Sequence, residues 1–70
     1  MYLLIRYTDE THNIIAALIA TSDDAKLLKG YAKERRPELE WVGTSGVGLS
    51  PRGEKLYYGI ETVRHLVRGL

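Results

Sequence analysis

Three groups of residues have types and spacings that could carry chemistry. The first is the segment 43–53, GTSGVGLSPRG, which holds Gly43, Gly46, Gly48 and Gly53 within eleven residues. A glycine-rich loop can turn successive backbone N–H groups toward an anion. Ser45 and Ser50 would add hydroxyls, and Arg52 a forked guanidinium that matches phosphate. The lysine and hydroxyl residue that close a P-loop are missing, and no helix is expected to follow. Nor does the segment open a helix after a parallel strand, as a dinucleotide fingerprint would. The plainer reading is a flexible hairpin connection whose glycines serve only the turns. With the neighbouring cations and an aromatic ring, the expected ligand-binding set is Ser45, Gly46, Gly48, Ser50, Arg52, Lys55, Tyr57 and Arg64.

The second group is Lys26, Lys29, Lys33 and Arg36, spaced three, four and three apart. On a helix that spacing puts them on one face, where they could track phosphates of a nucleic acid. No aromatic residue interleaves with them to stack on bases, and the sequence pI of about 8.1 is below that of dedicated nucleic-acid domains. The third group lies toward the C-terminus. Glu61, Val63 and His65 share one strand parity, and Tyr58, Ile60, Thr62 and Arg64 the other, with Arg68 adding charge.

Enzyme chemistry finds little support. His12 and His65 are the only histidines, and there is no cysteine. Neither histidine stands at metal-ligand spacing from a carboxylate, so no metal and no cofactor is expected. Glu61 could act as a base if buried, but a single carboxylate is not a mechanism. No catalytic residue is assigned.

The elements that must position these residues follow from pattern. Residues 2–8 are rich in β-formers and read as a strand. Residues 9–13 are polar and short, a hairpin loop, so residues 14–21 form a second, antiparallel strand. The alanines there also suit a short buried helix, but isoleucine content and hairpin spacing favour the strand. Thr21, Ser22, Asp23 and Asp24 form a helix start, with either hydroxyl as cap and the acids in the first turn. The helix should run to about Arg36, where Pro37 ends it. Ala25, Leu28 and Ala32, flanked by Leu27 and Tyr31, give its apolar stripe. Residues 38–43 form a short third strand, residues 44–53 a loop, residues 56–66 the last strand and residues 67–70 a tail. The expected fold class is α+β: a small antiparallel sheet, ββα(β)β, with one helix on one face of a single domain.

Composition bounds what such a fold can do. The chain has 70 residues, 44% apolar and 27% charged, which is the mix of a globular protein. Its longest apolar run, residues 14–20, is far short of the roughly 20 residues of a membrane span. No basic leader precedes an apolar stretch, so a cytoplasmic location is expected. The net charge of +1 is unevenly spread, at −3 for residues 1–25 and +4 for residues 26–70. A chain this small buries only about 60% of its unfolded surface. One helix covers one sheet face, yet both parities of the first strand and all of residues 14–20 are apolar. The other face should be sticky, and a homo-oligomer is the expected remedy.

The runs YLLIRYTDETHNIIAALIATSDDAKLL (2–28) and YYGIETVRHL (57–66) together resemble a group of small phage and bacterial accessory proteins. These are built as two strands, a helix opening at a hydroxyl-and-aspartate cap, and a final strand. The glycine-rich segment is not part of that pattern. The resemblance implies an accessory or anti-defence role in a host cell, by binding and blocking a host factor or signal. The expected function is therefore a non-catalytic binding protein that sequesters an anionic or nucleotide-like small ligand through the glycine-rich loop and basic residues at an oligomer interface. The alternatives are a protein-binding inhibitor or adaptor that uses the apolar sheet face, and a nucleic-acid binder that uses the basic helix stripe.

Overall fold

The computed structural model describes residues 1–11 and 14–64. Five strands and one helix follow in the order β1 (Tyr2–Tyr7), β2 (Ile15–Ser22), α1 (Ala25–Arg35), β3 (Glu40–Val42), β4 (Ser45–Leu49) and β5 (Lys55–Thr62). The strands form one sheet in the order β2-β1-β5-β4-β3, every neighbour antiparallel. This is the small α+β fold read from the sequence, with one strand more.

The added strand corrects the reading of residues 44–53 as a loop. Residues 45–49 form β4, paired on one side with β3 and on the other with β5. Two hairpins bracket it. Gly43 and Thr44 turn the chain from β3 to β4, Gly43 taking φ +62°, a conformation that costs a residue with a Cβ roughly 1–2 kcal/mol. Residues 50–54 turn it from β4 to β5. Within β4 the glycines make room rather than flexibility. Gly46 lies opposite Trp41, and an added Cβ there would sit 2.8 Å from the indole ring. A Cβ at Gly48 would sit 2.5 Å from the carbonyl oxygen of Glu38. Glycine alternating with larger residues is thus a period-two strand signal.

Asp24 is the helix N-cap, accepting a hydrogen bond from the Lys26 N–H at 2.8 Å. The cap therefore falls after the two hydroxyl residues, and no acid stands in the first turn. Ser22 acts one step earlier, its Oγ accepting from the Asp24 N–H at 3.0 Å. At the other end the Arg36 N–H donates to the Ala32 carbonyl at 2.8 Å, before Pro37 stops the helix.

Leu28 and Ala32 of α1 pack on Leu4, Leu56, Tyr58 and Ile60, with Leu39 closing the main core and Ala25 and Tyr31 at its margin. Leu27, expected beside this stripe, is 65% exposed. On the opposite sheet face Leu3, Ile5 and Tyr7 form a second buried cluster with Tyr57 against it. The expectation of a sticky face therefore holds for its margins. Its centre is buried, while Val42, Val47 and Leu49 remain exposed. β5 ends at Thr62, and Val63 and Arg64 take helical backbone, so the last strand is shorter than expected. His12, His65, Leu66, Arg68 and the expected tail lie outside the described residues.

Candidate functional site

The expected ligand residues do not form one site. Strand alternation puts Ser45, Lys55 and Tyr57 on the face away from α1, with Gly46 and Gly48 on the helix side. Ser50 and Arg52 lie at the β4–β5 turn. Arg64 lies beyond the other end of β5, and the seven steps of ~3.4 Å from Lys55 to Thr62 alone span roughly 24 Å.

The turn does not offer its backbone to an anion either. The Ser50 N–H donates to the Glu54 carbonyl and the Gly53 N–H to the Ser50 carbonyl, both at 2.8 Å. The Arg52 and Glu54 N–H groups both donate to Ser50 Oγ, at 3.3 and 3.1 Å. Pro51 has no N–H, so every donor of the turn is spent holding its shape. With both acceptor sites of Ser50 Oγ engaged, what the hydroxyl still has to give is its proton.

The basic helix face is divided too. Lys29 donates to the Gly43 carbonyl at 3.3 Å and lies 5.8 Å from the centre of the Trp41 ring. It braces the β3–β4 hairpin. Arg36 pairs with Glu38 at 3.6 Å. Lys26 and Lys33 are exposed.

The fold does bring Arg36 of that stripe to Ser50 and Arg52 of the turn. They line a cleft of about 320 Å³ together with Pro51 and Glu54. Arg36 also borders a second cleft, of about 240 Å³, between α1 and the sheet. Leu4, Ile19, Tyr31 and Tyr58 give this second cleft an apolar and aromatic lining, and Arg35 and Arg36 give it cations. The Arg35 guanidinium lies 4.6 Å from the centre of the Tyr31 ring, a cation–π contact worth about 0.5–1 kcal/mol that orients it in advance. Ile19 enters because β2 bulges there: Leu4 pairs with Ala20 and Ile5 with Leu18, leaving Ile19 as the extra residue.

Tyr31, Arg35 and Ile19 are not among the site residues expected from the sequence. The doublet of Arg35 and Arg36 before Pro37 is a usable signal for Arg35. Nothing in the linear pattern marks the bulge.

Ligand pockets for drug-sized molecules run from about 300 to 1,000 Å³. The inner cleft, at about 240 Å³, holds only part of such a ligand, and Arg36 borders both it and the outer one. Around Arg36 the cations outnumber the acids. The carboxyl end of α1 carries about half a negative charge that opposes an anion, so attraction must come from the guanidiniums of Arg35, Arg36 and Arg52. Glu38 and Glu54 temper them.

A third groove, of about 390 Å³, gathers Gly48, Lys55 and Tyr57 of the expected set with Val47, Leu49 and Glu10. It has one ammonium against one carboxylate and a mainly apolar wall, so it offers an anion less. Elsewhere, Tyr7 donates to Glu61 Oε1 at 3.3 Å. Burial first, and then the Glu61 charge and hydrogen bond, raise the Tyr7 phenol to about 12. Among the described residues no cluster of histidine and acidic side chains could hold a metal ion, and no helix is long and apolar enough to cross a membrane.

No protein-family model matches the chain, nor does any curated protein or solved structure.

Proposed function

We propose that this is a small non-catalytic binding protein, an accessory factor of the phage type, that sequesters an anionic, nucleotide-like ligand in the paired clefts around Arg36. The ring or sugar of the ligand fills the inner cleft against Ile19, Tyr31 and Tyr58. Its phosphate lies at the junction, where Arg35 and Arg36 reach it from one side and Arg52 and the Ser50 hydroxyl from the other. The observation that carries this reading is the position of Arg36 on both clefts, one apolar and one polar. Both clefts are built within one chain, so capture needs no second copy.

Calorimetric titration with adenosine monophosphate, adenosine and inorganic pyrophosphate tests it. A hydrogen bond to a charged group contributes about 1.5–3 kcal/mol, so Arg36→Gln should weaken monophosphate binding by roughly ten- to a hundredfold. Adenosine, without the phosphate, should bind far more weakly and be indifferent to the substitution. Equal binding of adenosine and its monophosphate, or no effect of Arg36→Gln, would refute the reading.

A further inference from the structure

The ligand clefts take Leu4 and Ile19 from the acidic N-terminal third of the chain but none of its acids, and β2 is the strand in it that stands at the sheet edge. An edge strand presents a row of backbone N–H and C=O groups that can pair with another chain. Most edges are blunted by brevity, charge or proline. The opposite edge, β3, is three residues long and carries Glu40. β2 has eight residues, and residues 14–22 include no charge and no proline. Ile14, Ile15 and Leu18 are 61, 48 and 58% exposed. Among the described residues its only restraint is the pair of register shifts at Ile19 and Ala16, which twist the strand and limit how long a flat partner could follow it.

The charges at its two ends say what kind of partner fits. Asp9 and Glu10 stand in the turn before β2, and Asp23 and Asp24 directly after it. Residues 9–24 contain no lysine or arginine. A second copy paired about a two-fold axis would bring Asp23 and Asp24 of one chain toward the acidic turn of the other, with like charges at both ends of the pairing. A segment with cations at its ends meets acids there instead.

We propose that the β2 edge docks an extended segment of another protein, apolar in its middle and basic at both ends, which adds to the sheet as a sixth strand. Backbone pairing along β2 supplies affinity. Ile15 and Leu18 contact its alternate side chains, and the flanking acids select its charge.

Two labelled synthetic peptides test this by fluorescence anisotropy, each alternating valine and threonine, one with two arginines at each end and the other with two glutamates. The arginine peptide should bind, and the glutamate peptide should bind at least about tenfold more weakly. Salt should reduce the difference. Leu18→Lys, which puts a charge on an exposed position of the edge, should abolish binding while circular dichroism stays unchanged. Asp23→Lys should weaken it. Amide hydrogen exchange in β2 should slow when the arginine peptide is added. Equal binding of both peptides, or binding untouched by Leu18→Lys, would overturn the proposal. So would a dimer of this chain that Leu18→Lys dissolves, since the occupant would then be a second copy.

Discussion

Replacing Gly48 with alanine places a methyl carbon 2.5 Å from the Glu38 carbonyl oxygen, 3.0 Å from its carbon and 3.1 Å from Leu39 Cα. All three are backbone atoms, and Leu39 is buried in the main core. Neither side can give easily, because Gly48 is paired to Leu56 of β5 and Leu39 is packed in the core. Overpacking of this kind costs about 1–3 kcal/mol, and backbone on both sides of the clash puts Gly48→Ala at the upper end. Restricting the unfolded chain returns about 0.4–1 kcal/mol. The net loss should be about 2 kcal/mol, which for a domain this small lowers Tm by roughly 8–16 °C. Urea denaturation and thermal melting followed by circular dichroism read both quantities. Gly46→Ala is the internal comparison. Its methyl would meet the Trp41 ring at 2.8–3.0 Å, and a side chain can swing aside, so the loss should be smaller and accompanied by a change in tryptophan fluorescence. If Gly48→Ala melted with the parent protein, residues 38–39 would not lie over β4. The reassignment of the glycine-rich segment from loop to strand would then fail.

Three other outcomes follow from the same structure. Tyr7 holds its proton more tightly in the fold, at about 12 against 10.0 for the free side chain. Its contribution to stability is therefore complete below about pH 10 and is withdrawn as pH rises toward about 12. Tyr7→Phe should flatten this part of the alkaline unfolding curve, and an unchanged curve would count against the burial and the Glu61 contact. Asp24→Ala removes the helix cap and should cost about 1 kcal/mol by urea denaturation, whereas Asp23→Ala should cost almost nothing. Glu38→Gln removes the acid facing Arg36 at 3.6 Å. Partly exposed pairs contribute about 0–1 kcal/mol, so stability should hardly move, while adenosine monophosphate should bind up to about fivefold more tightly by titration calorimetry.

The parts of the fold that were legible rest on local rules. Tyr2 to Tyr7 and the residues after Asn13 are rich in the β-formers of strands, a short polar run separates them, and Pro37 marks the helix end. β4 is less legible because its glycines read as flexible. Their spacing, every second residue between Ser45, Val47 and Leu49, was the stronger signal once Trp41 is recognised as the ring that needs a bare backbone opposite it. The site was less legible because it depends on which surfaces meet. Helical spacing groups Lys29 with Arg36, but tertiary contact sends Lys29 to Trp41 and Gly43, and Arg36 to the β4–β5 turn. Ser50 and Arg52 were recognisable as anion-binding types. That the turn spends its own N–H groups internally follows from the Ser50 hydrogen bonds, which no sequence pattern displays.

The central claim is that Arg36 joins two clefts into one anion site. The most direct test is two-dimensional NMR of the isotopically labelled protein, including the arginine side-chain N–H signals, titrated with adenosine monophosphate. The account predicts saturable shifts at Tyr31, Arg35, Arg36, Ser50 and Arg52, lost together in Arg36→Gln. Shifts confined to the Val47, Lys55 and Tyr57 groove, or no saturable shifts at all, would contradict it.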